Sequence, residues 1–347
     1  MNPFATRALG ATGVQLTQLG FGGAPMGELT ARLPEAVAIG TVEQAYRTGV
    51  RYFDTSPWYG HGLSEHRVGH VLRQQARASF VLSTKVGRVY RAPDDLTKID
   101  RGPWAGGLDF VLRFDYGHDG VMRSYEDSLM RLGLNRVDLL LIHDLDILYH
   151  KTDGEVEGRL RELDQGGWRA LEGLKSAGLI RAIGAGINEM GMIPRFLDRF
   201  PIDFFLVAMP YSLIDQEPLR DEFPRCVERH VGLVIGAPFA SGILATGAVE
   251  GARYNYQPAP PAVLEKVARI ERVCARHGVP LPAAALQFPL GHPSVAAVIP
   301  GTASPEEVAV AVRTMEVEIP RALWDELRAE GLIAAEAPTP GAGGPSP

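Results

Sequence analysis

Eight short apolar runs with few internal charges recur along the chain: LTQLGFGG (16–23), RYFDTS (51–56), FVLSTKV (80–86), VDLLLIH (137–143), RAIGAGI (181–187), FFLVAMPY (204–211), GLVIGAP (232–238) and VAAVIPG (295–301). Their length and character are those of strands buried on both faces of a parallel sheet. The stretches between them show helical spacing instead, as in 38–49, 64–75, 120–133 and 167–178. Gly49, Gly133 and Gly178 stand where a left-handed residue would close three of these helices. Ser64 is placed to cap the start of another. Eight strands alternating with helices predict a (β/α)8 TIM barrel rather than a doubly wound sheet. Ahead of the first strand, FATRALGATGVQL has two short runs around Gly10–Gly13. It predicts a β-hairpin that closes the bottom of the barrel.

Two connections are long, 87–119 after the third strand and 239–261 after the seventh. In a barrel both belong to the catalytic face, where extended ordered loops serve binding. Residues 1–333 read as one domain, and the Pro/Gly-rich stretch 334–347 as a disordered tail. Composition adds little to the fold: 347 residues, 46% hydrophobic and 22% charged, suit one large barrel. A net charge of −6 argues against nucleic acid as a partner. The two cysteines, Cys226 and Cys274, are far apart, which predicts neither a disulfide framework nor a cysteine metal site. No run reaches membrane-spanning length, and MNPFATRALG lacks the apolar core of a signal peptide. The expectation is a cytoplasmic protein acting on a small molecule, with a homo-oligomer left open.

The polar residues fall in an order that carries chemistry. Asp54, Lys85 and His143 close the second, third and fourth strands, and Tyr59 lies five residues beyond Asp54 in SPWYGHG. Ionisable side chains at successive strand ends converge on the catalytic mouth of a barrel. Singly, each has an ordinary explanation as a cap, a surface lysine or a satisfied polar group; together they suit proton transfer during hydride transfer to or from a carbonyl carbon. A free phenol titrates near 10, and a neighbouring ammonium would favour the phenolate. The shift requires about 3–4 kcal/mol, which one close, partly buried ammonium supplies at an effective dielectric near ~20. A neutral His143 would then orient the reacting oxygen.

At FDTSPWYGHGLSEHRVGHVL (53–72), STKVG (83–87) and LLLIHD (139–144) the chain resembles the aldo-keto reductase superfamily, from about Leu9 to Glu330. The resemblance implies a catalytic tetrad of Asp54, Tyr59, Lys85 and His143, and a nicotinamide cofactor extended across the barrel top without a Rossmann domain. Gly184-Ala185-Gly186 is therefore not a dinucleotide fingerprint but the family's fifth-strand segment, with Asn188 left as its carboxamide contact. The family's sixth-strand glutamine appears as Ala208. Gly22, Gly23, Ala24 and Asp54 on one side, and Phe239, Ser241, Gly242 and Leu244 on the other, are the further cofactor contacts it implies. Near the eighth strand the implied contacts are Gly301, Thr302 and Glu307, with Glu307 where relatives carry an arginine for the 2′-phosphate. A carboxylate repels that phosphate and accepts ribose hydroxyls, so NAD is favoured over NADP.

Within the family, 114–146 resembles the branch of aldose 1-dehydrogenases acting on L-fucose, D-arabinose and related sugars, which includes pyridoxal 4-dehydrogenase. It implies NAD-dependent oxidation of an aldose at C1 to a lactone, Tyr59 serving as base. Pyridoxal oxidation, general carbonyl reduction and a cofactor-sensing regulatory subunit are the alternatives. Trp58, Tyr59, Tyr90, Tyr116 and His143 are the candidate substrate contacts, with Trp104 and Phe110 nearby. Asp144 and Asp146 suit either substrate hydroxyls or a helix cap. His66 and His70 are four residues apart with His61 close by, but no carboxylate or cysteine completes a metal set, so no metal is expected.

Overall fold

The structure, a computed structural model, describes residues 1–208 and 211–341. Its strands are β1 (Thr6–Ala8), β2 (Gln15–Thr17), β3 (Phe21–Gly22), β4 (Tyr52–Asp54), β5 (Val81–Val86), β6 (Arg88–Arg91), β7 (Val111–Phe114), β8 (Leu139–His143), β9 (Ala182–Ile187), β10 (Phe204–Ala208), β11 (Gly232–Gly236), β12 (Arg253–Tyr254), β13 (Gln257–Pro258) and β14 (Val295–Ile299). Eight of them form one parallel sheet in the order β14-β11-β10-β9-β8-β5-β4-β3. Bridges Leu19↔Val298 and Gly22↔Gly301 join its two edges, and the Gly20 and Gly22 amides donate to Val298 and Pro300 oxygens at 2.9 and 3.1 Å. The expected (β/α)8 barrel is thus closed. The sixth apolar run continues beyond β10 into residues 209–210, which lie outside the described residues.

The two-residue period of a strand explains the double burial. Leu139, Leu141, Ala182, Phe204, Leu206 and Val234 point into the barrel, while Leu140, Ile142, Ile183, Phe205 and Ile235 pack outward against the helices. At the bottom, β1 and β2 pair antiparallel with Arg7 opposite Leu16. Leu9, Val14 and Leu16 are fully buried in the interior cluster, so the hairpin seals the barrel as expected. Each such leucine contributes about 1.5–3 kcal/mol by leaving water.

The helices begin and end close to expectation. Glu35–Thr48 and His118–Leu132 stop at left-handed Gly49 and Gly133, and Gly178 is left-handed just after Trp168–Ser176. That last helix is longer in practice: Asp153–Glu162 runs into it through a π-helical turn, Leu163–Gly167. Ser64 does not cap its helix. Leu63–Leu72 begins behind Gly62, and the Ser64 hydroxyl donates 2.7 Å to the Gly23 oxygen, pinning β3 to the helix. Residues 334–341 do not trail away. Ala337 and Thr339 are buried, and Arg328 donates to the Ala337 oxygen and the Thr339 hydroxyl at 2.9 and 2.8 Å. The rest of the expected tail, 342–347, lies outside the described residues.

The long connection after β5 is an antiparallel hairpin, β6 pairing with β7. It begins at Gly87, whose φ is 106° and whose missing Cβ would stand 2.3 Å from the Tyr116 ring. Gly87→Ala combines a left-handed backbone with a clash, so it should cost roughly 2–4 kcal/mol. Urea titration with less than about 1 kcal/mol lost would contradict this account of the turn.

Candidate active site

The strand ends bring the four sequence-predicted groups together. Lys85, fifth of the six residues of β5, is 1% exposed and donates three hydrogen bonds: to Asp54 Oδ2 at 2.7 Å, to the Thr55 oxygen at 2.8 Å and to Tyr59 Oη at 3.0 Å. These saturate the ammonium. Asp54 is held from its other side by the Ser83 hydroxyl at 2.7 Å. Burial pulls its carboxyl up, while Lys85 and Ser83 pull it down. Since Lys85 donates to Tyr59 Oη, the tyrosine's own O–H is directed elsewhere. Lys85 does not win the contest over the phenol: burial first, then the charges of Asp54 and Asp144, hold Tyr59 well above its ordinary value. The expectation of a phenol lowered by the ammonium is therefore reversed, and Tyr59 rests protonated.

His143 packs edge-on against Tyr59 with ring centres 5.9 Å apart. Burial and the nearby charges of Arg88 and Lys85 drive it well below its ordinary value, so it is neutral. Its Nδ1 lies 3.0 Å from the Ser56 hydroxyl and 3.1 Å from the Arg88 guanidinium.

The outer residues divide. Trp58 is half-buried at the mouth, edge-on to Trp104, and Trp104 also meets Tyr59 at 5.7 Å. Phe110 packs on Tyr90. Tyr90 and Tyr116 each have a hydrogen-bond partner within the protein. The Tyr90 hydroxyl donates to the Pro57 oxygen at 2.6 Å and props the turn that carries Tyr59. Tyr116 is fully buried and donates 2.8 Å to the His143 oxygen. Asp146 caps Ile147–His150 by accepting from the Tyr149 amide, whereas Asp144 pairs with Arg88 at 2.9 Å. Burial and Asp144 push Asp146 up to about 6. Of the three histidines, His61 Nδ1 meets the Phe110 oxygen at 2.6 Å, and His66 and His70 are exposed on their helix.

Two polar atoms at strand ends fit a nicotinamide cofactor. Asn188 Nδ2 donates to Asp144 Oδ1 and Asp146 Oδ2, both at 2.9 Å. Two carboxylates accept only, so the amide oxygen must point away from them, available to a carboxamide N–H. Thr302, three residues beyond β14, has a buried hydroxyl with no partner among the described residues. Other expected contacts have partners of their own. Gly22 and Gly23 lie against the backbone of residues 299–301 and of Asp54, which explains glycine at both. Ala24 is half-buried beside them, and Gly301 abuts Pro25. Phe239 is half-buried on the core, its oxygen accepting the amides of Gly242 and Leu244 at 2.9 and 3.1 Å. Ser241 Oγ accepts the Tyr256 amide at 3.0 Å, tying the β12–β13 hairpin to this loop. Glu307 accepts the Ala303 amide at 2.7 Å, and its own amide meets the Ser304 cap. It is thus a capping residue, still exposed beside the mouth.

Arg88 is the residue that the sequence reading missed. It is 4% exposed, lies over the rings of Trp58, Phe114 and Tyr149 at 4.5–4.9 Å, and touches both His143 and Asp144. Its place directly after STKVG, opening the long mouth loop, was the available signal. A cleft of about 500 Å³ lies at the opposite end of the barrel, lined by Arg51, Arg77, Arg136 and Arg181, far from this chemistry.

Comparison with known proteins agrees with this geometry. The model of the Aldo/keto reductase family matches residues 18–330. A pyridoxal 4-dehydrogenase of Microbacterium luteolum is 40% identical over 337 residues, covering 94% of this chain and 98% of that one. A D-threo-aldose 1-dehydrogenase of a Pseudomonas species is 34% identical over 351 residues, covering 96% and 98%. Among solved structures, an aldo-keto reductase of Bacillus halodurans superposes with a TM-score of 0.72 at 25% identity, covering 94% of this chain and 96% of that one.

The buried pair sets a stability test. Lys85→Met leaves the Asp54 carboxylate buried without its cation and should cost about 3–5 kcal/mol. Adding Asp54→Asn should restore most of that loss. Strictly additive losses in urea unfolding would show that the two side chains do not depend on one another.

Proposed function

Because the chain belongs to the aldo/keto reductase family, and is thus an oxidoreductase served by a nicotinamide cofactor, we propose that it uses NAD to oxidise a cyclic hemiacetal carbon to a lactone. An aldose reacting at C1 is the first candidate. Pyridoxal, whose aldehyde closes on its neighbouring hydroxymethyl group, is the second and is favoured by the 40% identity to a pyridoxal 4-dehydrogenase. The observation that carries the reading is the contact between Lys85 Nζ and Tyr59 Oη, backed by Asp54.

Each residue has one task in this scheme. Neutral His143 donates to the reacting oxygen and fixes its position. Tyr59, as phenolate, takes the hemiacetal hydroxyl proton while the carbon gives up hydride. Lys85 stabilises the phenolate as it forms, and Asp54 keeps the ammonium in place. When bound, the nicotinamide would supply the hydride acceptor; Asn188 would hold its carboxamide and Thr302 would meet the cofactor beside the eighth strand. A hemiacetal needs no added water: loss of one proton and one hydride already gives the lactone. Trp58, half-buried at the mouth, offers a ring to a sugar or a pyridine.

The raised phenol gives the reaction a pH sign. Oxidation needs Tyr59 deprotonated, so kcat/KM should keep rising with pH through and beyond neutrality. The reverse reduction needs it protonated, which it already is, and should stay level over the same range. A flat oxidation profile from pH 6 to 10 would contradict Tyr59 as the base. Tyr59→Phe should lower kcat by about a hundred- to ten-thousandfold, measured as initial rates on L-fucose, D-arabinose and pyridoxal. Turnover of none of the three would overturn the hemiacetal reading.

Glu307 supports NAD. It presents a carboxylate beside the mouth with one oxygen on the Ala303 amide, and a 2′-phosphate would meet that charge. Fluorescence titration should give at least about tenfold tighter binding of NAD than of NADP, a difference of about 1.4 kcal/mol. Tighter NADP would reverse the assignment.

A further inference from the structure

Around His143 the polar partners are arranged asymmetrically. Arg88 is a donor only, and it meets Nδ1 at 3.1 Å. The Ser56 hydroxyl, 3.0 Å from the same nitrogen, already accepts the Trp58 amide at 3.1 Å, which leaves its own hydrogen free to point at Nδ1. Nδ1 therefore faces two donors and must be the unprotonated, accepting nitrogen. Nε2 then carries the proton. It has no hydrogen bond among the described residues, and Asp144 Oδ2 stands 3.4 Å from it.

Arg88 is itself fixed on all sides. Three rings flank its guanidinium, and Asp144 Oδ2 stands 2.9 Å from it. Asp144 continues the chain of contacts to Asn188 through its other oxygen at 2.9 Å. One buried cation thus touches the groups that govern two different polar contacts at the mouth: His143 directly, and Asn188 through Asp144.

We infer that Arg88 is a positioning residue that locks His143 in its Nε2–H tautomer and, through Asp144, keeps the Asn188 amide oxygen turned toward the mouth. The inference rests on the reading of His143 as the group that orients the reacting oxygen. Arg88 itself does not reach the reacting atoms. It does its work by denying Nδ1 a proton, so that the donor His143 can offer is Nε2–H. The hairpin β6–β7 that carries Arg88 is therefore part of the catalytic frame as well as a wall of the entrance.

The test reads the nitrogen state directly. In ¹⁵N-histidine-labelled protein without substrate, the His143 signals, assigned by their loss in His143→Asn, should show an unprotonated Nδ1 and a protonated Nε2. Arg88→Met should give a mixture of tautomers or Nδ1–H. It should also lower kcat about ten- to a hundredfold with KM moved less than about threefold. Its acid limb in kcat/KM should move to higher pH, because a charge that disfavours the imidazolium is gone, while Lys85 and burial remain. Asp144 faces the ring from its own strand and, released from Arg88, pushes in the same direction. Arg88→Lys keeps the charge but not the planar fork and should fall between wild type and Arg88→Met.

Nδ1–H in the wild-type protein would overturn the inference, whether or not any variant folds. So would an Arg88→Met protein with the wild-type nitrogen pattern and pH profile. The spectra need no turnover. A wild-type enzyme inactive on all three substrates but with the expected nitrogen pattern would thus refute the proposed reaction and leave the role of Arg88 standing.

Discussion

An ammonium group with no access to water has to be matched donor by donor, and Lys85 is matched by a carboxylate, a backbone carbonyl and a phenol. Everything else at the mouth follows from that constraint. The carboxylate comes from the last residue of β4, which stands beside Lys85 across the strand pair. The carbonyl, of Thr55, requires the chain to turn just beyond the same strand. The phenol must arrive from the turn that follows, which is why Tyr90 supports the Pro57 carbonyl from below. Moving any one partner would strand a charge in a medium where its desolvation costs several kcal/mol. The geometry is rigid because the electrostatics allow no alternative.

The second layer obeys the same rule with opposite sign. Asp144 is a buried carboxylate, and it is matched by Arg88 and by Asn188. Two buried ion pairs, Lys85–Asp54 and Arg88–Asp144, stand on either side of the neutral His143. Burial first, and then their positive members, keep the imidazole from charging. A barrel lined by apolar side chains thus carries a polar cap built around two ion pairs, whose uncharged members, Tyr59 and His143, are the ones left to exchange protons.

Much of this was legible in the sequence, and the rest was not for identifiable reasons. Strand periodicity placed Asp54, Lys85 and His143 at strand ends, and a parallel barrel leaves those ends only one common location. The hairpin under the barrel was legible because its turn glycines sit between two short alternating runs. Ser64 was misread because it was judged by its position along the chain, whereas its partner, Gly23, comes from another element, and the partners of Tyr90 and Tyr116, Pro57 and His143, were hidden for the same reason. Arg88 escaped notice because an arginine in a loop is ordinarily solvated. Only the fold shows that three rings and a carboxylate enclose it. The direction of the Tyr59 shift was misjudged because one favourable neighbour was weighed without burial and two carboxylates against it.

The seam of the barrel has a consequence for how the chain reaches this state. The strand β3 is joined on its second edge by residues 298–301, so the two partners are separated by almost the whole polypeptide. Closing so long a loop is entropically unfavourable and can occur only after nearly all of the chain is available. Until then the growing sheet has an unpaired edge and the interior leucines are incompletely covered. Synthesis therefore passes through a long interval in which a half-built barrel is open to self-association and to chaperones, and the last strand to emerge is the one that ends it.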